Sequence, residues 1–267
     1  MISISIFIII CLACALAPYI TRYSYTTINV QRRSEGPSLD HLLGTDNLGR
    51  DQMSRLLHGG RVTLTITFSS TILAAIAGSI LGLLAGYFGG VLDYFLSPVI
   101  DVLAALPIII LALVFEIVFG WGRGYFMYAI AIAAIPQFAR LVRATVTDIM
   151  GREYIEAARA LGASNLGIVS RHILHNIAPS FVIRFTTSLA EALMTCTIMG
   201  YLSVGIRPPI PEWGSIALNA KAYMRVAPFM MVVPCAVIAA CIISINLFGD
   251  GLRDAFDPRD HGPALND

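Results

Sequence analysis

Long apolar runs separated by polar stretches dominate this chain. Runs near the ~20 residues needed to cross a hydrocarbon core extend from about Ile2 to Ile20, Val62 to Phe88, Tyr94 to Phe119, Tyr125 to Leu141, Ala178 to Leu202 and Phe229 to Phe248. The fourth is short and interrupted by Pro136. Inside lipid a backbone amide has to bond within its own segment or within a closed barrel. Period-two alternation is absent, so the runs predict helices, and the fold class is an all-α polytopic membrane protein of about six transmembrane helices.

The first run is read as a retained helix. Ala15-Leu16-Ala17 resembles a small-residue cleavage site, but Met1 to Ile10 carries no positive charge and the apolar run is long. Within the second run Gly78, Gly82 and Gly86 repeat at four-residue spacing, with Ala74 before them. That stripe lets another helix approach closely. The approaching helix belongs either to the same subunit or to a partner across a translocation path.

Composition agrees with a bilayer-embedded bundle. Of 267 residues, 57% are hydrophobic and 13% charged, with mean hydropathy +0.75. A soluble domain would need more charge to solvate its surface. A net charge of +1 without basic runs gives no sign of nucleic acid. Cys11, Cys14, Cys196, Cys235 and Cys241 all lie in apolar stretches and read as small apolar side chains, without a disulfide framework. Charge does not fix orientation. Arg22, Arg32, Arg33, Arg50, Arg55 and Arg61 crowd one loop, while Arg140, Arg143, Arg152, Arg159 and Arg171 crowd another three spans later. The two loops face opposite sides, and the positive-inside rule cannot favour both.

The polar segment from Arg140 to Pro179 is the informative one. Glu153 to Leu161 is rich in helix formers, and Gly162 is placed to end that helix in a left-handed conformation. Ser164 then caps a second helix through Ile168, Val169 and Ile173. Ile155, Ala158 and Leu161 fall at helical spacing and are expected to form one apolar face for docking on another protein.

Glu156-Ala157-Ala158, followed three residues later by Gly162, resembles the EAA loop of ABC importer permeases. Leu43 to Asp51, Arg207 to Gly214 and Asn246 to Asp254 are likewise similar to segments of the second permease of dipeptide, oligopeptide and nickel importers. The resemblance covers roughly residues 39 to 260. It implies that the EAA loop is cytoplasmic and seats in a cleft of an ATPase subunit through Glu156, Ala157, Ala158, Arg159 and Gly162. The segments Thr21 to Gly60 and Ser203 to Val226 then face outward, towards an extracytoplasmic solute-binding protein. The implied assembly holds a homologous second permease and two ATP-binding subunits in a bacterial inner membrane. Its cargo would be a di- or oligopeptide, or alternatively nickel or a metal chelate. The organisation expected is residues 1–60 as first helix and external segment, 61–250 as permease domain and 251–267 as cytoplasmic tail.

The chain departs from that pattern at His175, where members usually carry Pro, so the second EAA helix is expected to run on. Cys196 stands where many peptide-type members have Glu. Glu191 and Cys196 are candidates for the translocation path, although Glu191 can equally pair with Arg184 on the same helix face. Asp101 is expected to serve helix packing or gating, and Trp213 to anchor at the membrane surface. His172 and His175 share a helix face but sit in the coupling region, and His41, His58 and His261 are scattered, so no metal site is expected. Lys221 is the only lysine, and no glycine-rich phosphate loop precedes it. No cofactor is expected, and ATP would be hydrolysed on other chains. A proton-coupled secondary transporter is the competing class, but the paired repeats of such carriers are absent.

Overall fold

A computed structural model describes residues 2–119 and 123–256. Among the described residues the only extended pairing is one bridge, between Thr45 and Asp51. The helices are α1 (Ile2–Ala15), α2 (Gln52–Phe88), α3 (Gly90–Ala105), α4 (Ile108–Phe119), α5 (Arg123–Met150), α6 (Glu153–Ala160), α7 (Asn165–Tyr201), α8 (Trp213–Ala220) and α9 (Phe229–Phe256). Helices α2, α5, α7 and α9 are each long and apolar enough to cross a membrane.

The expected third span is not one rod. Helices α3 and α4 meet at 103°. Pro107 lacks an amide hydrogen and disfavours helical backbone in the residue before it. Leu106 accordingly adopts extended angles, φ −84° and ψ 138°. Pro136, expected to interrupt the fourth span, instead lies inside α5, which reaches Met150. Helix α7 likewise continues past His175 and Pro179 and joins the second coupling helix to the fifth span in 37 residues, with a π turn at Val169–Ile173. Helices α2 and α9 run across the 60/61 and 250/251 boundaries drawn from the sequence. His261 and the tail beyond residue 256 lie outside the described residues.

Helix directions settle how often the bent pair crosses. A Cβ on Gly78 would stand 2.6 Å from Phe138 Cβ, one on Gly82 would be 2.9 Å from Arg143 N, and one on Gly86 2.9 Å from Val146 Cβ. Residue numbers rise together along the seam, so α2 and α5 run parallel. Two parallel spans require one net crossing between them, which α3 and α4 supply. A re-entrant loop would have left α5 antiparallel. Helix α1, with 14 residues, covers about 21 Å at the usual helical rise and runs antiparallel to α2, Cys14 lying at Gly60 and Phe7 at Phe68. The bent pair brings the crossings to five of the six expected; α1, at 14 residues, is shorter than the ~20 such a crossing takes.

The glycine stripe therefore faces a helix of its own subunit. Backbone-to-backbone approach at Gly82, where a Cβ would collide with Ala139 O, joins α2 to α5 along their inner halves. Ion pairs add α3: Arg143 Nη2 donates to Asp93 Oδ2 at 2.8 Å, and Arg140 Nε lies 3.3 Å from Asp101. Asp101 thus pairs with α5, in an exposed ion pair that adds little to the packing.

Candidate functional site

The bundle has two chemically distinct ends, and the EAA sequence forms one of them. Gly162 takes φ +84°; its amide donates to Arg159 O at 2.9 Å and that of Ala163 to Ala158 O at 3.0 Å. This is a Schellman turn, which ends a helix by satisfying its last carbonyls. No atom lies within 4 Å of a Cβ placed on Gly162, so backbone conformation, not crowding, calls for glycine there. Ser164 Oγ accepts from Gly167 N at 3.2 Å and caps the next helix, as expected.

The expected apolar face divides in two. Ile155 is fully buried with Val146, Ile149, Ile168 and Ile173 in a cluster that joins α5, α6 and α7. Leu161 is 89% exposed and Leu166 82%. Successive residues of a helix are about 100° apart, so residues six apart are separated by about 120° and point different ways. Glu156, Ala157 and Arg159 are exposed, and Ala158 is half-buried. The outward surface thus combines Glu156, Ala157, Leu161 and Leu166, while Ile155 fastens the loop to its own spans.

Sequence reading missed Tyr87, at the end of α2. Its hydroxyl hydrogen-bonds Asn165 Oδ1 at 2.8 Å, and the Arg159 guanidinium carbon lies 6.0 Å from its ring centroid. Neither partner is within 70 residues of Tyr87, so no local pattern could reveal the contact. His172 packs against Tyr154, ring centroids 5.9 Å apart.

At the opposite end, the Leu43 to Asp51 motif folds around two carboxylates. Asp46 accepts from Leu48 N at 2.8 Å, Arg50 N at 2.9 Å and Arg50 Nε at 2.7 Å, with Arg55 Nε 3.3 Å away. Asp51 caps α2 through Ser54 N at 2.7 Å and meets His41 Nδ1 at 2.8 Å. Gly44 and Gly49 have positive φ, 77° and 74°. Several of the arginines that crowd this loop are thus engaged by its own carboxylates.

The Arg207 to Gly214 motif builds the neighbouring wall. Trp213 is fully buried and donates from Nε1 to Leu56 O at 2.8 Å; it lies inside the protein, not at the membrane surface. Gly60 makes the room, since a Cβ there would stand 2.5 Å from Trp213 Cζ2. Glu212 is also fully buried. It caps α8 by accepting from Gly214 N at 2.8 Å and Ser215 N at 2.9 Å, and Thr63 Oγ1 donates to it at 3.2 Å. Burial pushes its carboxyl up to about 7, and the hydrogen bonds from Gly214, Ser215 and Thr63 act in the other direction.

The two path candidates differ. Arg184 Nη2 donates to Glu191 Oε2 at 2.8 Å, and the pair is half-buried. Cys196 is fully buried among Val62, Phe126 and Met199 and is walled off from solvent inside the subunit. Among the described residues no group of three His, Cys, Asp or Glu side chains could hold a metal ion.

Comparison with known proteins places this architecture. Residues 78–260 match the family described as binding-protein-dependent transport system inner membrane component. The chain is 38% identical over 260 residues to the glutathione transport system permease protein GsiD of Pectobacterium atrosepticum, covering 97% of this chain and 86% of the relative. The Escherichia coli protein of the same description is 38% identical over 249 residues, covering 92% and 80%. Among solved structures, the MetNI methionine ABC transporter in an inward-facing form superposes with TM-score 0.60 at 23% identity, over 76% of this chain and 96% of that one. An amino acid ABC transporter determined with histidines gives 0.55 at 17% identity, over 75% and 94%. These two likenesses concern the fold. The matched family and the relatives show that the chain belongs to the binding-protein-dependent transport inner membrane components, as the permease subunit of an ABC importer.

Proposed function

We propose that the subunit pairs with a homologous permease, two ATP-binding subunits and an extracytoplasmic solute-binding protein, and passes di- and oligopeptides inward by alternating access. The observation that carries this reading is α6. It is a short helix bolted to two spans through Ile155, and the turn after it and the start of α7 leave Leu161 and Leu166 exposed beside its charged outer face. Apolar side chains left in water beyond the membrane fit a partner's groove. A push on α6 would reach α5 and α7 as rigid motion, because the turn at Gly162 and the cap at Ser164 leave little slack. ATP hydrolysis falls to the partner chains. The peptide cargo is supported by the relatives, which are described as permeases for glutathione, a tripeptide. The nickel alternative drew on Cys196, whose burial separates it from any solute in this conformation.

The test is uptake by cells lacking this gene and by the same cells complemented with it. Labelled dipeptides, tripeptides and glutathione are compared with labelled nickel. Gene-dependent peptide uptake with nickel unchanged is the expected result. Nickel dependence alone would replace the peptide reading.

A further inference from the structure

A cavity of about 590 Å³ opens at the outer end between α2, α5 and the loop before α8, lined by Tyr25, His58, Arg61, Thr65, Met127 and Ile210 among others. Its size lies in the range of small-ligand sites. His58, Arg61 and Thr65 recur at helical spacing and share one face of α2. His58 is fixed in place: Thr21 Oγ1 lies 3.3 Å from its Nε2, and its ring packs on Tyr25 with centroids 4.8 Å apart. Thr65 spends its hydroxyl hydrogen on Arg61 O at 2.6 Å, which leaves the oxygen free to accept.

Arg61 is exposed and makes no ion pair among the described residues. Among the described residues no carboxylate lines this cavity; Glu212, next to Pro211 of its wall, is engaged by Thr63 and two amides, and Asp46 and Asp51 of the outer loop by Arg50, Arg55 and His41. A guanidinium on a spanning helix is costly against lipid and is usually found facing the bundle interior or water. Its fork geometry suits a carboxylate, which it can hold by two parallel hydrogen bonds.

We propose that this cavity is an oxyanion station at the outer mouth, where Arg61 receives a free carboxylate of the incoming solute and Tyr25 and His58 form the adjoining wall. The proposal rests on the peptide reading for the identity of the solute, but the site itself can be probed without any substrate. In the assembled transporter, reconstituted in zwitterionic lipid, Thr65→Cys would be labelled with an anionic and a cationic methanethiosulfonate reagent. The rate ratio, anionic over cationic, should fall on the order of tenfold when Arg61→Gln is added, and Arg61→Lys should restore much of it. An unchanged ratio overturns the proposal. A fall that occurs only when anionic lipid is added assigns the guanidinium to a lipid headgroup and overturns it equally.

Uptake then identifies the solute. Arg61→Gln should raise the KM for a labelled tripeptide about tenfold with kcat kept, and leave the KM for its C-terminal amide unchanged. Equal loss for acid and amide would mean a structural defect and refute carboxylate recognition. A normal reagent ratio shift with no peptide uptake by the unsubstituted transporter would refute the peptide reading and leave the oxyanion site in place.

Discussion

At the outer end Glu212 and Trp213 are fully buried and their polar atoms are held by the protein, whereas at the coupling end Leu161 and Leu166 stand 89% and 82% exposed. The contrast inverts the usual distribution of polar and apolar groups. Outside, buried carboxylates and an indole N–H fasten the loops to each other and to α2, beside an apolar cluster that includes Leu56, Trp213 and Ile216. Inside, an apolar underlayer of Ile155, Ile168 and Ile173 fixes a short helix with a charged outer face, and the turn and helix start that follow leave Leu161 and Leu166 exposed. A buried polar group is tolerated only when it is bonded, and an exposed apolar patch implies a partner. On the proposed reading both ends meet partners: Leu161 and Leu166 wait for an ATPase, and the outer end, where Leu39 and Val226 are exposed, presents a wall already braced by its own buried polar groups.

Breaking the coupling end should have the largest effect. Gly162→Arg forces a side chain into a left-handed conformation, at about 1–2 kcal/mol of backbone strain, and puts bulk on the docking surface. Uptake should fall to background while the chain still accumulates in the membrane. Wild-type uptake in that variant would remove the docking role from this turn.

The split face gives a sharper comparison. Ile155→Ala should lower the stability of the assembled complex by about 2–5 kcal/mol, as expected for an emptied core position. Leu161→Asp should leave stability unchanged and reduce solute-stimulated ATP hydrolysis at least tenfold, since the disturbed contact lies outside the subunit. A destabilised Leu161→Asp with normal coupling would mean that the two leucine and isoleucine roles are reversed.

At the outer end the effect is smaller and depends on pH. The Glu212 carboxyl is raised from 4.5 to about 7 in the folded protein. The folded state then binds the proton more tightly than the unfolded chain. The stabilisation is complete below about pH 4.5 and is lost as pH rises through about 7. The thermal midpoint of the complex should fall by a few degrees between about pH 5 and pH 8, and Glu212→Gln should flatten that slope. An identical slope in the variant would show that another group titrates.

These differences also mark what could be read in advance. The Schellman turn and the Ser164 cap are local, so Gly162 and Ser164 announce them in the sequence. The break at Leu106 was hidden because Pro107 sits in an apolar run, and hydropathy does not register a missing amide hydrogen. The glycine stripe was visible, but only packing against Ile135 to Val146 shows which helix it receives. Glu212 and Trp213 were legible as a motif and misleading one by one: their partners Thr63 and Leu56 lie about 150 residues away. Arg61 looked like one of many arginines until its neighbours were seen to have their own carboxylates.

The central claim is that the 153–166 region meets the ATPase with Leu161 and Leu166 and holds itself with Ile155. Site-directed cross-linking in the assembled transporter tests it most directly, with single cysteines at Ile155, Leu161, Leu166 and, at the other end of the bundle, Leu39, which is 96% exposed. The account predicts cross-links to an ATP-binding subunit from Leu161→Cys and Leu166→Cys, and none from Ile155→Cys or Leu39→Cys. Cross-links to that subunit from Leu39→Cys, with none from Leu161→Cys or Leu166→Cys, would contradict it and turn the bundle the other way up.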